Sequence, residues 1–390
     1  MKLFIQIAIL LFCQTLSAQT YQSIDSVLAC ICRNNLELKV LQTEHEADVL
    51  DAKADNVLTA PSVEYSPFFR RGYSGLAESE LIVSEEIDFP TKYAARNRQL
   101  SLRKNVLEQQ YASARRSLLL KAKLLCIDII CINQSLEMQQ RRLADSEATL
   151  SLFQKRVDAG DANILELNKV KIERMDVQKM VSSAQSERLS LLQQLQELNG
   201  GIAIDITENH FPEQPLAADF ESFVSQTLSA NTDVLAAEAD LKATNHEVSM
   251  ARQDWLPNIS VGYRRNTAEK ESVNGFMVGL SFPLFSTSDK VKAARKRQLS
   301  SQLQIEQVRQ STESALRTRY NQLLSLRQVL NHDDVEMMQE TIQLLNKALQ
   351  HGELSAIQYY NEVSSIYEKL QSHINTHCQS AKLEAELLSY

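Results

Sequence analysis

Ala94-Ala95-Arg96-Asn97-Arg98-Gln99-Leu100-Ser101 recurs as Ala293-Ala294-Arg295-Lys296-Arg297-Gln298-Leu299-Ser300. Seven of the eight residues are identical, at an offset of 199 in a chain of 390. A repeat at that distance predicts a tandem duplication, each half folding as one copy of the same unit. Shorter echoes agree. Asn35-Leu36-Glu37-Leu38 answers Asn231-Thr232-Asp233-Val234, Ala52-Lys53-Ala54-Asp55 answers Ala251-Arg252-Gln253-Asp254, and Phe89-Pro90 answers Phe282-Pro283. Two copies of so long a unit are too few and too large for a solenoid. They predict two half-bodies related by a pseudo-symmetry axis.

Working outward from the repeat, glycine and proline mark the element boundaries. Neither occurs from Thr91 to Ala159, from Asp161 to Asn199, from Leu284 to His351, or from Glu353 to the end. These tracts are rich in Leu, Gln, Glu, Lys, Arg and Ala, which are good helix formers. A helix filling the first tract would be roughly 100 Å long at about 1.5 Å per residue. Coiled-coil fibres and long tubes need such rods; ordinary globular domains do not. At Gly160 and Gly352 a long helix stops and another starts at once. Glycine readily takes the left-handed position that ends a helix. Asn163 with Glu166, and Ser355 with Gln358, then have the spacing of capping boxes. Each half is therefore expected to hold an antiparallel helical hairpin, with tips at 158–163 and 350–355.

Four other segments alternate with period two. In 62–70, Val63, Tyr65 and Phe69 oppose Ser62, Glu64, Ser66 and Arg70, and Phe68 interrupts. In 80–89, Leu81, Val83, Ile87 and Phe89 oppose Glu80, Ser84, Glu86 and Asp88. In 258–265, Ile259, Val261 and Tyr263 oppose Asn258, Ser260, Gly262 and Arg264. In 275–285, Phe276, Val278, Leu280, Phe282 and Leu284 oppose Gly275, Met277, Gly279 and Ser281. About ten residues of such alternation suit a tilted membrane strand, with Val63, Tyr65, Leu81, Val83, Ile87, Ile259, Val261, Phe276, Val278 and Leu280 facing lipid. A half-buried soluble strand uses the same alternation. Two hairpins at matching places in a duplicated helical chain favour the membrane reading.

Each half then reads helix, strand, turn, strand, very long helix, tip, helix. Four strands cannot close a barrel, and an open edge in hydrocarbon leaves peptide groups without partners. If these strands enter a membrane, several chains must pool them. Their helical hairpins must likewise close arcs into a tube. The fold class expected is mainly α with a small β part: an α-helical barrel continued by a transmembrane β-barrel assembled from several chains. Its natural function is a conduit.

The remaining signals fit export. Lys2, the apolar run Leu3 to Phe12 and the small pair Ser17-Ala18 read as a signal peptide, residues 1–18. A lipoprotein is the rival reading because Cys13 ends the run, although Phe12 is too large for the position before a lipidated cysteine. No later run of 18 apolar residues provides a spanning helix. Formal charge is −8, from 41 Lys and Arg against 49 Asp and Glu, which argues against a nucleic-acid surface. Five cysteines follow the signal, an odd number with no repeated spacing, so they are expected to be small buried side chains rather than a disulfide framework. His373, His377 and Cys378 have a spacing that could hold a soft metal, but a packed or solvated helix face needs nothing more. Tyr359 and Tyr360 are expected to pack a hairpin end. Arg70-Arg71 and Arg264-Arg265 are expected to end strands at an outer rim. No nucleophile–base pair, phosphate loop or HExxH pattern appears, so no enzyme, cofactor or resident metal is expected.

Taken together and in order, these motifs resemble the TolC family of outer-membrane efflux proteins across essentially the whole mature chain. The family's pattern is matched twice by Asn35–Leu38 and Asn231–Val234, and by Ala52 to Pro61 and Ala251 to Pro257. It is matched again by Phe89 to Arg98 and Phe282 to Arg297, and by the tips Val157 to Leu165 and Leu349 to Ile357. The resemblance implies a homotrimer with a twelve-stranded barrel in outer-membrane lipid and a periplasmic helical extension. It also implies docking to a periplasmic adaptor (membrane fusion protein) and an inner-membrane pump, and the branch it points to is the RND type that exports heavy metals or drugs. The repeats would cover 19–200 and 219–390 with a linker at 201–218. Gly160, Asp161, Asn163, Glu166, Gly352, Glu353, Ser355 and Gln358 would form the adaptor-docking tips. One departure is that Gln358 and Asn361 are neutral where some members carry an acidic ring; Glu166 sits at the matching place in the first half. A type I secretion duct and a purely structural secreted coiled-coil protein are the alternatives.

Overall fold

The computed structural model describes residues 19–389, apart from residues 22, 55–56, 58, 73, 212–218, 269–270 and 284–286. The expected signal segment with Cys13, the last part of the expected linker, and Leu284 lie outside the described residues. Among the described residues the elements run β1 (Gln19–Tyr21), α1 (Ile24–Asn34), α2 (Leu36–Ala54), β2 (Ser62–Phe68), β3 (Glu78–Ile87), α3 (Pro90–Asp158), α4 (Ile164–Leu198) and β4 (Ile204–Ile206). They continue with α5 (Phe220–Ala230), α6 (Thr232–Gln253), β5 (Asn258–Ala268), β6 (Glu271–Ser281), α7 (Thr287–Leu330), α8 (Val335–His351) and α9 (Ala356–Leu387). None of these helices is long and apolar enough to cross a membrane.

Each half opens on a short and a longer helix hinged at an asparagine. Asn35 and Asn231 are buried, and each caps the helix that follows. Asn35 Oδ1 accepts from the Leu38 amide at 2.7 Å, and Asn231 Oδ1 from those of Asp233 at 2.9 Å and Val234 at 3.0 Å. The side chain satisfies amides that the first turn leaves open. Asn35 Nδ2 also donates to Leu198 O at 2.7 Å, tying this cap to the end of α4.

The chain divides into two compact units. One comprises Val40–Ala114 and Ser225–Glu313 and contains the four-stranded sheet, in the order β2-β3-β5-β6, antiparallel throughout. Val106, Ala239 and Ala243, with Leu102 against them, form an apolar contact between α3 and α6. Polar links surround it: Ser301 Oγ donates to Asp240 at 2.6 Å, and Arg309 pairs with Glu238 at 2.6 Å. Small side chains at 239 and 243 let the helices approach closely.

The other unit comprises Arg115–Val224, Ser314–Tyr390 and the chain up to Lys39. It contains both helical hairpins, α3–α4 and α8–α9, and the parallel pair β1·β4. The expected linker 201–218 thus contributes a strand, Ile204–Ile206.

Three expectations need correction. The second half has no single helix from 284 to 351: α7 ends at Leu330 and α8 starts at Val335, with Asp334 Oδ1 accepting from the Met337 amide at 2.9 Å. Asn331-His332-Asp333-Asp334 breaks the helix without glycine or proline, because Asn and Asp side chains offer the backbone other hydrogen bonds. The strands also shift. β2 stops at Phe68, leaving Phe69 and Arg70 outside, and β3 runs 78–87 rather than 80–89. β5 extends to Ala268, and β6 spans 271–281 rather than 275–285. Ladder bonds continue through polar Asn266, Thr267, Ser272 and Asn274, where hydrophobic alternation gives no signal. Finally, Cys131 and Cys378, 247 positions apart in sequence, form a disulfide with Cα atoms 5.9 Å apart. Spacing within each repeat was blind to it because its partners belong to different repeats. Cys30 and Cys126 are buried, as small apolar side chains would be, and burial pushes the Cys126 thiol up to about 12.

Closing so long a loop restricts the unfolded chain, and loss of such a bridge typically costs about 2–5 kcal/mol. Replacing both Cys131 and Cys378 by Ser should lower the chemical denaturation midpoint of the helical unit, with a loss of unfolding free energy in that range. The wild-type chain with reductant should fall to the same midpoint.

Candidate functional site: the two-faced sheet and the hairpin tips

Residues directly paired in an antiparallel ladder project from the same side of the sheet. The register therefore carries a face across all four strands. One row is Val63, Val83, Tyr263 and Phe276; another is Ile87, Ile259 and Leu280; a third pairs Tyr65 with Leu81, and a fourth pairs Val261 with Val278. All ten residues expected on the apolar face share one side. Phe276 is 92% exposed, Val278 75% and Val63 67%. Tyr263 and Phe276 meet edge-on with centroids 6.2 Å apart. An exposed apolar surface of this kind on a sheet marks a contact with another molecule or with lipid.

The opposite side carries Ser62, Glu64, Ser66, Glu80, Ser84, Glu86, Asn258, Ser260 and Ser281, with glycines at 262, 275 and 279. Asn258 Nδ2 donates to Glu86 at 3.0 Å and Lys92 Nζ to Asn258 at 3.0 Å. Of the arginines expected to end strands at a rim, Arg70 and Arg71 follow the end of β2, whereas Arg264 and Arg265 lie inside β5. Arg264 pairs with Glu80 on the polar side, and Arg265 sits beside Leu81 on the apolar side. Ile82, Val273 and Met277 are apolar residues on the polar side.

Two features were missed in the sequence. Glu85 interrupts the apolar face, paired with Val261. Exposed aromatic residues stand at both ends of the sheet, Phe68 and Phe69 at one end and Trp255 and Phe282 beyond the other. Such residues favour a membrane–water boundary. The signal was available, since the chain's single tryptophan stands two residues before Pro257 at the start of β5.

In the helical unit the two tips have the same construction. Gly160 and Gly352 adopt φ of 80° and 79°, in the left-handed region. The Asp161 amide donates to Arg156 O at 2.7 Å, and the Glu353 amide to Ala348 O at 2.9 Å. These bonds reach back around the glycine and satisfy carbonyls at the helix ends. Both expected capping boxes are formed. Asn163 Oδ1 accepts from the Leu165 amide at 3.0 Å while Glu166 accepts from the Asn163 amide at 3.4 Å. Ser355 Oγ accepts from the Gln358 amide at 3.3 Å while Gln358 accepts from the Ser355 amide at 3.1 Å. Glu166 and Gln358 thus serve the turns. Asp161, Asn163, Gly160, Gly352, Glu353 and Gln358 are exposed, and Ser355 is half-buried.

Arg156 joins the tips, donating from Nη2 to Leu349 O at 3.2 Å and Gln350 O at 2.8 Å. Behind it Phe153, Leu167, Val170, Leu349, Tyr359 and Tyr360 belong to one buried cluster. Burial pushes the Tyr360 and Tyr367 hydroxyls up to about 12, and that of Tyr359 further. These tyrosines are neutral packing groups, as expected for a hairpin end. His373 Nδ1 meets Asp333 Oδ2 at 2.9 Å, His377 packs edge-on against Phe211, and Cys378 is in the disulfide. Among the described residues no three His, Cys, Asp or Glu side chains are placed to hold a metal.

Residues 223–389 match the protein family described as "Outer membrane efflux protein". No curated protein matches the chain. Among solved structures, the fold is similar to CusC, described as undergoing conformational changes that accompany folding and transmembrane channel formation. That similarity has 17% identity, a TM-score of 0.74, and coverage of 93% of this chain and 91% of CusC. It is also similar to the outer membrane channel MtrE of Neisseria gonorrhoeae in its open state (14% identity, TM-score 0.78, coverage 94% and 88%). The outer membrane channel CmeC of Campylobacter jejuni gives 13% identity, a TM-score of 0.77, and coverage of 94% and 84%. The chain has the fold of outer-membrane efflux channels along nearly its whole length and the family's sequence pattern in its second half.

A charge on a lipid-facing strand position costs about 2–4 kcal/mol at mid-bilayer. Val83→Arg and Leu280→Arg should therefore abolish assembly into outer membranes, whereas Ser84→Arg and Ser281→Arg should be tolerated. Membrane fractionation with gel mobility before and after heating measures this. Equal effects on both faces would mean that the apolar side does not meet lipid.

Proposed function

We propose that this chain is the outer-membrane exit duct of an efflux system, built from three copies and continued into the periplasm by its helices. The observation that carries this reading is the sheet, apolar and exposed on one side, polar on the other, with β2 and β6 as its outer strands. In hydrocarbon those outer strands need partners. Strand direction alternates across the sheet, so β6 of one copy runs antiparallel to β2 of the next. Three copies supply twelve strands, an even number within the range of outer-membrane barrels. The apolar side then meets lipid and the side bearing Glu64, Glu80 and Glu86 lines a watery passage. A structural coiled-coil protein has no use for such a sheet. A type I secretion duct shares the architecture and differs in its cargo.

The tips bearing Gly160, Asp161, Gly352 and Glu353 meet a periplasmic adaptor, which couples the duct to an inner-membrane pump. Their turns are exposed and linked by Arg156, which suits a docking edge.

Two outcomes test this reading. Light scattering with detergent correction should return three times the mass of the mature chain; a monomer would end it. Gly352→Val should leave the trimer intact yet abolish export and adaptor cross-linking. A Cβ there meets only the end of Arg156 at 3.8 Å, so the strain lies in the backbone of the turn. A Gly352→Val trimer that exports normally would remove the tips from docking.

A further inference from the structure

The apolar side of the sheet carries an exposed cation, Arg265, and its height on the strands selects a partner. All four strands join their helices at one end, through Ser62, Ile87, Asn258 and Ser281. In the duct those helices lie in the periplasm, so the opposite end points out of the cell. Going outward on β5, the apolar side reads Ile259, Val261, Tyr263 and then Arg265. On β6 it reads Leu280, Val278, Phe276 and then Asn274. Both strands turn polar in the same row, since Arg265 pairs with Asn274. Asn274 lies eight positions before Phe282, which ends the apolar run inward. Eight residues span about 27 Å along a strand, or about 20 Å in height at the tilt of barrel strands. The apolar band of such barrels is about 25 Å tall, so Arg265 stands at its outer edge. A lipid-side arginine is costly at mid-bilayer and costs little at that edge.

Charge is sorted by side at this end of the sheet. Glu78, Glu80 and Glu271 all belong to the polar side, and Glu80 is taken by Arg264. Arg265 lies on the other side, and among the described residues no carboxylate pairs with it. Glu85 shares its side but sits four positions inward of Leu81, about 13 Å along the strand and out of reach. Arg70 and Arg71 add exposed positive charge beyond the end of β2. Tyr65, 59% exposed, stands in the row of Arg265. A tyrosine so placed suits the level of lipid headgroups.

We infer that Arg265 holds the phosphate of an anionic, phosphorylated lipid in the outer leaflet, one lipid to each copy of the chain. This rests on the reading of the chain as a membrane duct. The guanidinium fork suits paired hydrogen bonds to phosphate oxygens, and the exposed Asn274 beside it offers an amide donor to the same headgroup. The acyl chains then lie along the apolar rows below, beginning at Tyr263 and Phe276. A net anionic headgroup is preferred to a zwitterionic one, because the lipid side offers no carboxylate at that level to answer an ammonium group.

The test uses the purified full-length protein in detergent, titrated with diphosphorylated lipid A or with phosphatidylcholine and read by native mass spectrometry. Wild type should bind up to three molecules of the phosphorylated lipid per trimer, severalfold more tightly than phosphatidylcholine. Arg265→Gln should weaken the phosphorylated lipid about fivefold, the worth of one arginine at an anionic surface, and leave phosphatidylcholine unchanged. Arg264→Gln, one residue away on the polar side, should bind as wild type does. Millimolar inorganic phosphate should displace nothing, since it lacks the acyl chains. Equal binding of the two lipids by wild type would overturn the proposal whatever the variants do. So would an Arg265→Gln trimer that keeps wild-type affinity, an equal loss in Arg264→Gln, or displacement by inorganic phosphate; each would leave the duct reading standing. Absence of a trimer in wild type would overturn both.

Discussion

Peptide groups in hydrocarbon have no water to bond, so every strand that enters a membrane needs a partner on both sides. The rest of the account depends on that constraint. A four-stranded sheet with an exposed apolar face and two outer strands is incomplete as a single chain. Alternation along each strand fixes the two faces, and the register aligns them across the sheet. The face is continuous because Val63, Val83, Tyr263 and Phe276 fall in one row although they come from both halves of the chain.

The helical unit follows a different logic. Its hairpins turn at a left-handed glycine and restart at a capping box, a combination that satisfies the backbone in few residues. Arg156 and the buried tyrosines then hold one tip against the other, and the disulfide fixes α3 to α9 further along. α3 and α9 are consequently well anchored to each other, while apolar residues such as Ile172 and Leu344 remain exposed on α4 and α8. In a single chain such exposure would be a liability.

Much of this was legible in the sequence. Tips, capping boxes and strand faces rest on local chemistry: glycine's backbone freedom, the reach of Asn and Ser side chains, and period-two alternation. What escaped depends on contacts distant in sequence or on polar stretches. The Cys131–Cys378 bridge joins different repeats, so no spacing within a repeat revealed it. The outer ends of β5 and β6 are polar, so their ladder continues where hydrophobic patterning falls silent. The break at Asn331–Asp334 contains neither glycine nor proline, the only helix-stopping residues the tract-by-tract reading used. Arg156 was readable as a basic residue in a last helical turn, but its carbonyl partners lie on the other hairpin.

The most direct test of the central claim is spin labelling of each residue from Gly275 to Ser281 in turn, in assembled outer-membrane protein, with collision rates measured for oxygen and for a water-soluble nickel complex. The account predicts period two. Labels at 276, 278 and 280 should collide mainly with oxygen, which dissolves in lipid, and labels at 275, 277, 279 and 281 mainly with nickel. Uniform access of nickel to all seven positions would show that β6 has no lipid-facing side, and would contradict the account of the sheet as part of a membrane barrel.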